Sequence, residues 1–347
     1  MKGNFWLWLG WCGVIAAQPV PAPVVAPSGE NELQEVLDLL KSRYADPAAV
    51  QDQDMNISAV EAVLRRLGPG AQLMTRPSIP VEKPRPIYAE LLPHKIGYWR
   101  MPTFQTAKGW APLEKQLVDW NKAGVIGLVL DLRDFEASND YIGAGQVAQY
   151  FTPPGSSLFS IQGLQVPQQV YQNSRTQMLW TGPLIVLING RTRGAAEAVA
   201  AVLHRRAPAL ILGRSTAGQA ALYTETRLSS GRYLRLATAQ VILDDGSPLF
   251  GRPVTPDIGL YVDDRNEREV MIQIAQGSAV AGVKELPVRQ RLSEAALVRE
   301  DNPEIDAAYA AQVLEKKNGR PQNFPATQDL ALMRAMDVLR AIKLANR

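Results

Sequence analysis

Two runs of almost unbroken apolar residues, Val125–Leu130 and Pro183–Ile188, constrain this chain more than any other feature in it. A strand without a polar face must be buried on both sides. That is the situation of a sheet covered by helices, not of a half-solvated antiparallel sheet. The segments around the two runs take up helical and strand patterns in turn. Ile96–Trp99 reads as a strand, Leu113–Asn121 as part of a helix, and Gln146–Phe151 as another. Arg193–His204 reads as a third helix and Ala209–Leu212 as the next strand. Arg232–Thr238 alternates as a half-exposed strand does. Such alternation predicts an α/β core.

The flanks have different chemistry. Lys2 followed by the apolar run Phe5–Ala17 fits a secretory signal peptide over residues 1–17, with cleavage after Ala17. Lipid anchoring at Cys12 is the weaker reading, because bulky Trp11 precedes it. Residues 18–30 are a proline-rich linker. Residues 31–75 form an N-terminal helical region, where Leu33, Val36, Leu37 and Leu40 recur at helical spacing. Ser58 with Glu61 makes a capping-box start for a second helix, and Gly68-Pro69-Gly70 stops it. Residues 76–91 read as a linker, 92–263 as the core, and 264–347 as a C-terminal helical region ending in Leu332, Met336, Leu339 and Ile342.

Charge and composition exclude several function classes. With 37 Lys and Arg against 34 Asp and Glu the net charge is +3, which lends no support to nucleic-acid binding. Cys12 is the only cysteine, so a processed chain has no disulfide, no thiolate nucleophile and no cysteine-ligated zinc. The two histidines, His94 and His204, lie far apart and give no metal signature. Asp244-Asp245 precedes Gly246 and reads as a hairpin turn rather than a calcium site. Gly143-Ala144-Gly145 is too short for a dinucleotide loop, and no cofactor is expected.

Four landmarks occur in a characteristic order. They are Lys95–Phe104, then Gly127–Arg133 ending in Asp131-Leu132-Arg133, then Pro183–Leu203, then Asp245–Asp257 ending in Pro256-Asp257. With them the chain resembles the tail-specific, or C-terminal processing, serine proteases. The resemblance implies a crotonase-like α/β core with N- and C-terminal helical flanks and a serine-type peptidase frame. It places the serine nucleophile at Gly194, the lysine base twenty-five residues on at Gln219, and the oxyanion turn at Ala137-Ser138. Glycine has no nucleophile and a carboxamide is no base, so no catalytic residue is expected at these positions. An aspartate common on the nucleophile helix is Arg205 here.

Replacement groups are scarce. No lysine lies between Lys122 and Lys284. His204 stands ten residues beyond Gly194 on one helix, about 15 Å along its axis at ~1.5 Å per residue. Thr192 and Ser215 are the fallback hydroxyls, with turn and capping roles as the blander account. Arg191, Arg193 and Arg214 are either a carboxylate clamp or solvated surface. Only the stretch Ala71–Leu91 separates helices from core, too short for the PDZ module of many relatives. The expectation is an exported pseudoprotease of the periplasm or cell envelope, touching the membrane only through its signal segment. Expected partners are peptide C-termini or an active protease relative, with homo- or hetero-oligomers through the helical flanks. The alternative is a serine-type peptidase using Thr192 or Ser215.

Overall fold

The computed structural model describes residues 52–78, 85–106, 109–135, 139–275 and 328–345, with Ala279 and a few positions between 35 and 43. The expected signal segment with Cys12, the expected linker after it, Ala137, Ser138 and most of the stretch between residues 275 and 328 lie outside the described residues. The chain divides into two units after Arg66.

The helix α1 (Asp52–Leu67), whose last residue belongs to the second unit, begins six residues before the expected start at Ser58. No glycine or proline stands between Asp52 and Ser58 to stop the helix, so the Ser58–Glu61 pair lies inside it and does not cap it. The stop at Gly68–Gly70 is as expected, a single 3-10 turn. Val60, Val63 and Leu67 are exposed, as are Val36 and Leu39 upstream.

The second unit carries two sheets. The first has the order β11-β8-β7-β4-β3-β2, made of β2 (Tyr88–Leu92), β3 (Ile96–Arg100), β4 (Gly127–Asp131), β7 (Leu184–Ile188), β8 (Ala209–Gly213) and β11 (Ile258–Gly259). Every pairing from β3 to β11 is parallel, and β2 returns antiparallel on β3. The two apolar runs are its central strands, β4 and β7. Leu128, Leu130, Val186 and Ile188 face a core shared with α2 (Ala111–Lys122), α3 (Tyr141–Gln149) and α4 (Ala195–Arg206). Val129, Ile185 and Leu187 face the other way, where α6 (Leu330–Ala345) covers them with Leu332, Ala335, Met336 and Leu339. Burial on both faces is what leaves these strands no polar alternation.

Of the second sheet the sequence showed only the alternating stretch Arg232–Thr238, most of which lies in its longest strand. β10 (Tyr233–Leu243) pairs with β9 (Ala221–Arg227) on one side, and with β1 (Ala71–Met74) and β5 (Ser157–Gln162) on the other. β6 (Gln169–Gln172) extends β5. Two boundaries are therefore corrected. β1 lies within the stretch read as helical, and β2 within the stretch read as a linker. Prolines near them masked both strands: β1 pairs with the distant β10, while β2 forms a hairpin with the neighbouring β3. Phe159, Ile161, Val241 and Leu243 join the core that α3 and α4 enclose. The C-terminal region contributes α5 (Asp264–Ala275) and α6.

α6 is latched as well as packed. Arg133 donates to Asp329 through Nη1 at 3.0 Å and Nη2 at 2.7 Å, and to Asp131 through Nε at 2.9 Å and Nη2 at 2.7 Å. The Tyr98 hydroxyl donates to Asp131 at 2.8 Å, and Asp329 caps α6 by accepting Leu332 N–H at 3.0 Å. All four side chains are buried. Burial pushes the Tyr98 phenol well above its ordinary range, with the Asp131 charge adding to it.

Candidate functional site

The site forms where β7 turns into α4. Thr192 shapes that turn: its hydroxyl donates to Leu132 O at 2.9 Å and accepts Asn189 N–H at 3.0 Å, and Ala217 N–H donates to Thr192 O at 3.0 Å. The hydroxyl is fully buried and both its hydrogen bonds go to backbone, the arrangement of a turn former. Ser215 is exposed on the loop after β8.

Gly194 is the N-cap of α4, with φ 61° and ψ −125°. Glycine enters this region freely, while a side-chain-bearing residue is strained there. A sharp strand-to-helix turn of this kind is what presents a nucleophile in an elbow motif. Here the backbone geometry is present without a side chain to present.

Glu197, one turn into α4, is the residue that sequence reasoning passed over. Its Oε2 accepts Gly194 N–H at 3.0 Å and Gln219 N–H at 2.7 Å. Its Oε1 accepts the Thr216 hydroxyl and Gly218 N–H, both at 2.6 Å. The carboxylate ties the start of α4 to the loop that carries Gln219. Burial raises its pKa above the ordinary glutamate range, and the four donors oppose that rise. Its sequence signal was a lone acid in the alanine-rich stretch Ala195–Val202, where every neighbour is buried.

Gly194 and Gln219 line one small cleft with Asn139, Arg193, Ala221, Tyr223 and Arg235. The free space is about 10 Å³, room for a single water. Tyr223 and Arg235 from the second sheet narrow it. The Arg235 guanidinium sits 4.2 Å from the Tyr223 ring centroid. Asn139 bridges the Tyr223 backbone, donating to its O at 2.9 Å and accepting its N–H at 3.2 Å.

The three expected clamp arginines do not converge. Arg191 pairs with Asp134 at 3.1 Å. Arg214 pairs with Asp264 at 2.7 Å and Glu267 at 2.6 Å, which fastens α5. Only Arg193 reaches the cleft, and its buried Nε has no hydrogen-bond partner among the described residues. Arg235 joins it, unforeseen. It pairs directly with Glu225 across the strands and lies diagonal to Tyr223 on one face of the sheet, a relationship that exists only once β9 and β10 are in register.

The histidines lie elsewhere. His94 adopts φ 62° in the tight turn between β2 and β3. His204 Nε2 meets Asp257 Oδ1 at 2.9 Å, while Asp257 Oδ2 accepts Ile211 N–H at 2.8 Å. Arg205 pairs with Asp245 at 2.7 Å, and Arg206 with Asp244, at the C-terminal end of α4 where cations oppose the helix dipole. Gly246 takes φ 80° in the expected hairpin turn, closed by Leu243 N–H to Ser247 O at 2.9 Å.

Residues 95–260, which hold the parallel sheet, the strand-turn-helix elbow and the carboxylate-stapled loop, match the model of peptidase family S41. The chain carries a peptidase family S41 domain. The carboxy-terminal processing protease CtpA of Bacillus subtilis (strain 168) is 28% identical over 198 residues, 54% of this chain and 39% of that protein. The chloroplastic C-terminal processing peptidase of Tetradesmus obliquus is 28% identical over 166 residues, 48% of this chain and 35% of that protein. The chain therefore spans less than half the length of these relatives. A Parabacteroides merdae structure, described as a candidate peptidase, covers 75% of this chain and 100% of its own at TM-score 0.51 and 13% identity, a likeness of fold alone.

Proposed function

We propose that this chain is an exported pseudoprotease: a tail-specific-protease fold retained as a peptide-binding or scaffolding module that does not hydrolyse its ligand. The observation that carries this reading is the pairing of Gly194 with Gln219 in an otherwise maintained frame. Peptide hydrolysis by this fold needs a hydroxyl to attack and a base to take its proton. At these two positions, which line one cleft, the chain supplies a hydrogen atom and a carboxamide. Meanwhile Glu197 still holds the two loops together. A frame that keeps both loops tied to one buried carboxylate is preorganised for binding, although no group for the reaction stands in it.

Neither fallback hydroxyl competes with this reading. Thr192 uses both its bonds on backbone, and Ser215 stands on a loop whose cationic neighbour Arg214 cannot act as a base. Partners follow from the same reasoning: peptide tails in the cleft, or an active relative joined through the helical flanks. The test is incubation of the purified chain, with and without its first seventeen residues, with unstructured peptides under mass-spectrometric detection. No cleavage above the buffer rate is expected. Turnover that disappears in a Thr192→Val or Ser215→Ala variant overturns the proposal.

A further inference from the structure

We infer that a groove at the far end of α4 is a second ligand site, which takes a small organic anion with an apolar body and transmits its occupancy to the loop carrying Gln219. This goes beyond the reading of the Gly194 cleft and does not depend on it. The groove encloses about 400 Å³, within the range of about 300–1,000 Å³ that small-molecule sites occupy. One wall is the C-terminal end of α4, with His204 and Arg205. The other is built from the stretch between Leu243 and Thr255.

Charge selects the ligand. Arg252 is exposed in this groove, and no carboxylate among the described residues pairs with it. The acids close by are already committed. Asp245 Oδ1 accepts the Ser247 N–H at 2.9 Å and the Ser247 hydroxyl at 2.6 Å, while Oδ2 meets Arg205 Nη1 at 2.7 Å. Asp257 is held by His204 at 2.9 Å and by Ile211 N–H at 2.8 Å. What the groove still offers is mainly donors: the Arg252 guanidinium, the remaining N–H groups of Arg205 and the Thr255 hydroxyl. A guanidinium presents a planar fork that fits an oxyanion. Buried Leu243, Leu249 and Val254 supply the apolar part of the lining. A charged anchor beside apolar surface is the combination that orients a small amphipathic ligand.

Transmission follows from what lies behind the second wall. Thr216 N–H donates to Val254 O at 3.1 Å, and the Thr216 hydroxyl accepts Val254 N–H at 2.9 Å. The same hydroxyl donates to Glu197 Oε1 at 2.6 Å. Gly251 N–H donates to Gly218 O at 3.0 Å. Pro253 lies so close to Gly218 that a Cβ there would meet its Cγ at 3.2 Å. Gly251 to Val254 and Thr216 to Gly218 are therefore zipped together, and opening one breaks the other. A ligand that binds only the intact wall must lower the population of the open loop by mass action.

The test titrates naphthoate into the full chain by calorimetry, beside the neutral naphthamide and inorganic phosphate. Naphthoate is expected to bind at least tenfold more tightly than either. Arg252→Gln, a change at an exposed side chain, should bring naphthoate to the level of the amide, with circular dichroism melts checking its fold. Arg235→Gln should leave naphthoate binding unchanged, because it alters the other cleft. At ten times its Kd, naphthoate should slow hydrogen exchange of the Gly218, Gln219 and Val254 amides about elevenfold in the parent. Equal binding of acid and amide, or loss of binding in Arg235→Gln but not in Arg252→Gln, overturns the site. Phosphate binding as tightly as naphthoate overturns the apolar body. Tight naphthoate binding with exchange unchanged at all three amides overturns the transmission.

Discussion

Glu197 accepts the backbone N–H of Gln219 at 2.7 Å, so the loop that carries Gln219 is held in place by the helix that starts at Gly194. The turn at Gly194 and the loop at Gln219 are tied together through a single buried carboxylate.

That tie makes Glu197 the most sensitive polar residue of the site. Glu197→Ala leaves three backbone N–H groups and the Thr216 hydroxyl without an acceptor. The cost should be several kcal/mol, on the order of 3, because each unmet buried donor costs about 1–3 kcal/mol and relaxation with water recovers part. Urea unfolding of the variant beside the parent checks it, and a midpoint within error of the parent contradicts the staple.

The same carboxyl sets a pH dependence. Its folded pKa lies above the ordinary value of 4.5, chiefly through burial. Its contribution to stability is therefore full below about pH 4.5 and is lost as pH rises through the folded pKa. The parent's unfolding free energy should fall across that window relative to a Glu197→Gln variant, which has no such group to titrate. Parallel curves for the two proteins between pH 4 and 8 are the contrary result.

Restoring the nucleophile alone should not restore chemistry. Gly194→Ser places a side chain at φ 61°, which costs about 1–3 kcal/mol of backbone strain, and gives it no base. A serine-directed fluorophosphonate probe should leave this variant unlabelled. Adding Gln219→Lys supplies an amine beside Arg193 and Arg235, whose charges favour its neutral form. The double variant should label slowly and turn over weakly. Labelling of the single variant at the rate of the double would remove Gln219 from the account.

The Arg133–Asp329 pair should be worth more broken than whole. Asp329→Ala leaves a buried guanidinium half matched, and removing one partner of a buried pair costs about 3–5 kcal/mol. Burial alone would raise the pKa of Asp131, but the guanidiniums of Arg133 and Arg100 hold it below 3.8. The stability this group contributes is present above about pH 3.8 and is lost as pH falls through its folded pKa. Thermal melts of Asp329→Ala with limited proteolysis should show α6 cleaved before the core. Protection of α6 equal to the parent's would mean that packing alone holds it.

Packing of α6 is separately testable at Gly127. A Cβ there would lie 2.5 Å from Leu339 Cδ2, and Leu339 is fully buried. Gly127→Ala should cost about 1–3 kcal/mol through overpacking. Combining it with Leu339→Ala should cost less than the sum of the two, because the same collision is relieved. Strict additivity in denaturant unfolding would place the strain elsewhere.

Much of this protein is readable without a structure. The apolar runs at Val125–Leu130 and Pro183–Ile188 pointed to strands buried on both faces, because each is too short for a helix and lacks any polar face. The absence of a hydroxyl at position 194 and an amine at 219 is likewise a property of composition at aligned positions. Local signals carry such conclusions.

Tertiary structure alone decided what surrounds them. Ala71–Met74 became a strand because β10 offered it an edge, although a proline-rich segment follows it. Arg235 entered the cleft because strand register set it diagonal to Tyr223, while Arg191 and Arg214 left it because Asp134, Asp264 and Glu267 were closer. Glu197 found four donors spread over positions 194 to 219. Each of these depends on which distant groups arrive within about 3 Å, the range at which hydrogen bonds and ion pairs act. Sequence patterns report the burial of a face, and only the folded chain brings a partner to a charge.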